Sequence, residues 1–429
     1  MRELLRGRLR WLLVAWMFAI SATAYLDRVN ISIAGPILQK EFGLSNTQLG
    51  WVFSAFVVGY ALFQVPGGRL ADRYGPRRTL LFATIWWAVF TSITAMVPSG
   101  VAGALLMLLS VRLALGLGEA VVYPSSNRLV SKWIPTTERG VANGVIFAGV
   151  GIGAGVTPPL VTYILTHYGW HWTFWISAVI GLVIGAVWFF LARDEPEQHP
   201  WVTQEEVRTI KAGLPIAATT TNAPALHWTQ LTRSRSVMAM SLSYFTYGYT
   251  AYIYFTWFFI YLTKVRGMDL KSSAILGMLP FLAMAVGSPL GGTVSDFVTR
   301  HWGRRRGRCV LGAVSMGVSA VFLAFGPLAA SAQMATLLLA GGAGALYFSQ
   351  SSFWSVSADI SGPSAGVLSG FMNMGNQIGG ALTASLTPIL ANYFGWSFSF
   401  LVAAVLCGAG ALAWLLVDPT RVVGMPAVE

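Results

Sequence analysis

The stretch WLLVAWMFAISATAYLDRVNISI, Trp11 to Ile33, is apolar almost throughout and carries one charged pair, Asp27-Arg28. Crossing the hydrocarbon core of a bilayer takes about 20 residues. Lipid offers backbone N–H and C=O groups no partners, so such a run is a helix bonded entirely within itself. Arginine-rich residues 2–10 before it and Ala22-Thr23-Ala24 within it resemble a cleavable signal segment. Apolar character continues past Ala24, however, and further runs follow, so an uncleaved first helix is expected.

Outward from this run, helices are expected near 47–68, 79–97, 102–131, 140–166 and 172–192. A polar stretch follows, and six more are expected near 237–263, 272–295, 309–328, 333–358, 364–393 and 397–417. The reading is an all-α membrane protein of twelve transmembrane helices in two pseudo-symmetric six-helix bundles, 1–192 and 237–429, joined by a cytoplasmic linker, 193–236. Composition agrees: of 429 residues 55% are hydrophobic and only 10% charged, where a soluble chain carries about 25% charged. Of the 28 Lys and Arg, Lys40, Lys264, Arg266 and Lys271 fall on one side, Arg28 and Arg112 lie inside helices, and the rest share the other side. Positive loops stay in the cytoplasm. The net charge of +12 therefore orients the chain in a bacterial inner membrane, both termini cytoplasmic, and does not point to nucleic acid. Cys309 and Cys407 sit in apolar stretches and are expected to be buried free thiols.

The halves echo one another. Pro66-Gly67-Gly68-Arg69-Leu70-Ala71-Asp72 returns as Pro289-Leu290-Gly291-Gly292-Thr293-Val294-Ser295-Asp296, and Tyr168-Gly169-Trp170 as Phe394-Gly395-Trp396, at nearly one spacing. Parallel repeats around a central site are a transporter plan. The loop after helix 2, Gly68 through Asp72, Arg73 and Gly75 to Arg77-Arg78, resembles the signature of the major facilitator superfamily, with a degraded second-half copy. Gly68 permits close helix approach, and Asp72 can cap a neighbouring helix N-terminus or pair with an arginine. Gly68, Asp72, Arg73, Arg77 and Asp296 are accordingly candidates for a cytoplasmic gate.

Four charges lie inside helices: Asp27 and Arg28 in helix 1, Arg112 and Glu119 in helix 4. Each costs about 2.5–3.5 kcal/mol at the bilayer centre even on a lenient scale. They either lock helix 1 to helix 4 as ion pairs or serve function. Buried pairs stabilise less well than apolar packing, which favours function. Arg112 and Glu119 share a helix face about 10 Å apart along the axis. Asp27 and Arg28 project about 100° apart and so cannot meet one partner. The expected arrangement has Asp27 facing Arg112, with Arg28 and Glu119 reaching a central cavity.

Asp27-Arg28-Val29-Asn30, the Asp72 loop, Arg112 through Glu119-Ala120, Tyr123-Pro124, Trp133-Ile134-Pro135, Glu138-Arg139-Gly140 and Phe371-Met372-Asn373 resemble the anion:cation symporter branch of that superfamily. That branch includes bacterial galactonate, glucarate and hexuronate transporters and is related to sialic-acid and vesicular glutamate carriers. The resemblance implies proton coupling at Asp27 and Glu119, with Arg112 as a modulating partner. It also implies a substrate carboxylate at Arg28 and a sugar-acid contact at Tyr60.

Polar or aromatic residues in apolar helices add Tyr247, Ser352, Trp354, Asn373 and Gln377 as substrate-binding candidates. Asn373 and Gln377 share a face where they can meet hydroxyls. Each can equally be interhelical glue. No deeply buried charge is expected in the second half, leaving it the neutral, hydroxyl-reading side. Gly149 to Gly155 resembles a dinucleotide loop, but no strand precedes it, and close helix packing is expected instead. His167 and His171 lack a third metal ligand nearby, and no Gly-x-x-x-x-Gly-Lys occurs, so neither metal, cofactor nor ATP is expected.

The reading is secondary transport and not an enzyme: proton-coupled import of a small organic anion, a sugar acid such as an aldonate, aldarate or hexuronate, by a monomer in the lipid bilayer. Alternatives are import of an aromatic or dicarboxylic acid and proton-coupled export. A non-transporting membrane sensor is less favoured, since a signalling domain or long tail would be expected with it.

Overall fold

The structure, a computed structural model, describes residues 8–214, 226, 228–258, 261–362 and 364–423. The first half holds α1 (Leu9–Phe42), α2 (Asn46–Tyr74), α3 (Pro76–Met96), α4 (Ala104–Glu119), α5 (Val122–Trp133), α6 (Arg139–Tyr168) and α7 (Trp170–Leu191). A linker helix, α8 (Gln204–Ala212), follows. The second half holds α9 (Arg235–Thr256), α10 (Leu270–Gly277), α11 (Leu279–Trp302), α12 (Leu311–Phe325), α13 (Ala332–Phe348), α14 (Gln350–Ile360), α15 (Ala365–Phe394) and α16 (Trp396–Ala413).

Three expected rods are broken into the pairs α4–α5, α10–α11 and α13–α14. Prolines explain two of the breaks. Pro124 and Pro280 lack the N–H that would bond the carbonyl four residues back, so the ladder lapses at Ala120–Val121 and at Met278. Among the described residues nine helices are long and apolar enough to cross a membrane. The rods outside that count are α9, α13–α14 and α15, which carry the buried Tyr244, Tyr247, Ser351, Ser352, Asn373 and Gln377. Their interior polarity lowers their mean hydropathy.

Helices also outrun the apolar signal. The first reaches Phe42, the second Tyr74 and α11 Trp302. Apolarity marks where the chain leaves lipid, whereas the hydrogen-bond ladder continues into water until a residue stops it. Gly68 to Tyr74 is therefore helical and not a loop. The turn comes at Gly75, whose φ of 80° suits glycine, and Pro76 opens α3.

Packing repeats between the halves. In the first, α1 packs on α6, α2 on α4 and α3 on α7; in the second, α9 packs on α15, α11 on α13 and α12 on α16. Two seams join the halves, α2 on α15 and α6 on α11. Glycines make both seams close: a side chain on Gly68 would strike the Gly366 carbonyl, and one on Gly292 the Gly140 carbonyl. The Gly149–Gly155 run packs likewise, Gly149 and Gly153 against α1 and Gly151 against α11. Large apolar side chains such as Leu106, Phe190 and Val405 stay exposed, as a lipid-facing surface requires.

Candidate functional site

The charged quartet is gathered between α1 and α4. Asp27, Arg112 and Glu119 are buried and Arg28 nearly so. Arg28 Nη2 donates to Glu119 Oε1 at 2.6 Å and Nη1 to the Tyr25 hydroxyl at 3.4 Å. The Arg28 guanidinium lies over the rings of Tyr25, Tyr60 and Phe56, at 4.6, 4.7 and 5.1 Å, a cage that suits a weakly hydrated planar cation. Glu119 Oε2 has no hydrogen-bond partner among the described residues.

The other expected pairing does not close. Asp27 accepts from the Thr91 hydroxyl at 3.1 Å, while Arg112 lies over Phe56 at 4.9 Å. Among the described residues Arg112 forms no ion pair; its charge acts on both acids through space. The cause is geometric. Asp27 projects about 100° from Arg28 and meets α3 instead.

A narrow cavity opens beside this cluster. Of the candidates, Tyr247, Trp354, Asn373 and Gln377 line it. Arg28, Tyr60 and Ser352 are not among its lining residues: Arg28 stands behind Tyr25, which is. The Tyr60 and Ser352 hydroxyls are buried without hydrogen-bond partners among the described residues. Asn373 Nδ2 donates to Gln64 Oε1 at 3.1 Å, and the Tyr252 hydroxyl donates to Gln377 Oε1 at 2.7 Å. The wall also holds Tyr25, Gln350 and Asn376, which the sequence reading missed along with Gln64. Gln64, Gln350 and Asn376 are amides in membrane-embedded helices, the same signal that marked Asn373.

At one end of the seams, carboxylates meet helix N-termini, where free N–H groups and the helix dipole favour negative charge. Asp72 accepts from the Gly366 and Val367 amides of α15 at 3.0 and 2.9 Å, with Arg128 at 3.6 Å. Asp296 accepts from the Gly140 and Val141 amides of α6 at 2.9 and 2.7 Å, and from Arg308 at 2.7 Å. Between them Arg139 meets Asp359 at 2.5 Å. Arg73 is exposed over Tyr74, and Arg77 turns to the Phe189 carbonyl of α7, so neither joins these contacts.

The degraded second-half motif makes the more buried contact, with Arg308 from the following helical segment supplying the cation. One expectation changes here: the second half does hold buried charges, Asp296, Arg308 and Asp359. Each is paired across or beside a seam, and none lines the cavity.

Comparison with known proteins places the chain in a family. The sequence profile of the Major Facilitator Superfamily matches residues 17–384 and 297–427. The probable sulfoacetate transporter SauU of Cupriavidus necator is 34% identical over 98% of this chain and 96% of its own. The hexuronate transporter of Bacillus subtilis is 30% identical over 96% of each. Among solved structures, the proton:xylose symporter XylE bound to 6-bromo-6-deoxy-D-glucose superposes with a TM-score of 0.74 at 15% identity, over 94% of both chains. That likeness speaks for the fold alone.

Proposed function

The chain belongs to the Major Facilitator Superfamily, and is thus a multi-pass membrane transporter and not an enzyme; we propose that it imports a small organic anion with protons, a sugar acid such as an aldonate, aldarate or hexuronate being the leading class. The observation that carries this reading is the Arg28–Glu119 contact at 2.6 Å in a buried, aromatic-walled setting. An incoming carboxylate competes with Glu119 for the Arg28 guanidinium. A carboxylate deprived of its countercharge in a water-poor site is neutralised by a proton. Anion entry and proton uptake are thereby linked, and Asp27, within the field of Arg112, is the second proton carrier.

Alternating access supplies the movement. Six-helix bundles 1–192 and 237–429 rock about the site, and the Asp72 and Asp296 contacts close the cytoplasmic end. The basic loops support a bacterial inner-membrane location with cytoplasmic termini. The named substrates of SauU and the hexuronate transporter, both organic anions, support the substrate class. A second reading, an aromatic acid, is favoured by the rings of Tyr25, Tyr123, Phe147, Tyr247 and Trp354 around the cavity.

The test is uptake by purified protein in liposomes under an imposed proton gradient. Asp27→Asn and Glu119→Gln are each expected to abolish gradient-driven accumulation, and Arg28→Lys to raise the apparent KM at least roughly tenfold, because an ammonium lacks the planar, multiple N–H donors of the guanidinium. Full accumulation by both acid variants would remove the coupling assignment.

A further inference from the structure

We propose that Tyr244, Gln350 and Trp354 form a fixed reader for a hydroxyl group of the substrate, so that a hydroxy monoacid is accepted ahead of a dianion. This inference rests on the organic-anion reading above and narrows it. A phenolic hydroxyl has two lone pairs and one proton to give. At Tyr244 both lone pairs are occupied: Gln350 Nε2 donates to its oxygen at 2.8 Å and Trp354 Nε1 at 2.9 Å. Its own proton finds no acceptor among the described residues, and Tyr244 stands on the cavity wall.

Beside it, Gln350 Oε1 is buried without a partner among the described residues, and Gln350 lines the same cavity. Tyr244 and Gln350 therefore present an unspent donor beside an unspent acceptor, and the Tyr247 hydroxyl, likewise without a partner among the described residues, stands on the same wall. A hydroxyl group answers both, accepting from Tyr244 and donating to Gln350. A second carboxylate or a sulfonate has only acceptors, so it leaves the Gln350 oxygen unpaired against negative charge. No cation lines the cavity to offset that.

Packing keeps the reader rigid. Phe147 and Tyr123 lie at 5.1 and 5.7 Å from the Trp354 ring, and Phe353 lies at 4.5 Å from Tyr244. All three readers are buried, so they cannot turn to suit a different group without opening the core.

The experiment measures binding of three matched ligands to the purified full-length protein by calorimetry: a six-carbon aldonate, its terminal-deoxy analogue and the corresponding aldarate. The wild type is expected to bind the aldonate at least roughly tenfold more tightly than either of the others. In Tyr244→Phe the aldonate falls to the level of the deoxy analogue, while the analogue itself moves less than about twofold. An aldarate bound as tightly as the aldonate overturns the inference, as does a Tyr244→Phe variant that weakens aldonate and deoxy analogue alike. The comparison within the wild type needs no substitution and stands if the variant fails to fold. If none of the three ligands binds, the sugar-acid class falls, and this inference with it.

Discussion

At the scale of single residues, Arg139 and Asp359 form the most enclosed ion pair between the halves among the described residues, with side-chain exposures of 0% and 1%. Arg139 also donates to the Ser131 and Ile134 carbonyls, so it is anchored in the first half and only Asp359 comes from the second. Removing one partner of such a pair leaves an uncompensated buried charge, at about 3–5 kcal/mol. That penalty falls on the arrangement in which the halves meet here, because separation returns both groups to water. Asp359→Asn is therefore expected to favour opening at this end. Labelling of a Ser357→Cys reporter, whose native hydroxyl accepts from Asn127 across the seam, should quicken at least about tenfold. An unchanged rate would show that the pair does not hold the end shut. Asp359 drew no notice in the sequence, since an acid at a helix end ordinarily faces water.

Elements show a different coupling. The linker is bound to the first half: Glu206 accepts from the Leu9 and Arg10 amides at the start of α1, and Arg10 bridges Glu206 and Glu138. His199 completes the dock, its Nε2–H donating to the Leu191 carbonyl at 2.8 Å and its Nδ1 accepting from the Trp201 amide at 3.1 Å. That use of both nitrogens requires the neutral ring. Burial holds its pKa below the ordinary value of 6.5, and Arg193 adds to this, outweighing the Leu191 bond. The undocked linker then binds a proton as pH falls below about 6.5 while the docked one does not, so docking is fully stable above that pH and weakens below it. Hydrogen exchange over residues 196–213, normalised for intrinsic rates, should rise between about pH 7.5 and about pH 5.5. His199→Gln should remove that dependence. Exchange equal at both pH values in the wild type would refute the docking role of the ring.

For the whole molecule, the seams matter most. Backbones of α2 and α15 approach at Gly68 and Gly366, those of α6 and α11 at Gly140 and Gly292, which small residues alone allow. Gly68→Val is expected to prevent closure of this end and to abolish uptake while ligand binding persists in a thermal-shift assay. Gly155→Ala, whose added methyl would meet nothing within 4 Å, serves as the neutral control. Normal uptake by Gly68→Val would mean that the close approach is dispensable. The Gly-Asp pattern of both repeats was legible as a helix-contact device. That the poorer copy would build the more buried contact was not, because Arg308 lies outside the motif.

Runs of apolar residues, the basic bias of the loops and four charges in costly places are local properties, each readable within one window of chain. Lipid enforces them residue by residue, and so the helical rods, their duplication and the charged cluster could be read directly. Partner choice is a different matter. Whether Arg28 or Arg112 takes Glu119, which amides face the cavity, and that Arg139 finds Asp359 220 positions away, depend on how helices distant in sequence rotate and cross. A few tens of degrees of rotation exchange one partner for another without altering any apolar run. Only the assembled tertiary structure decides among them.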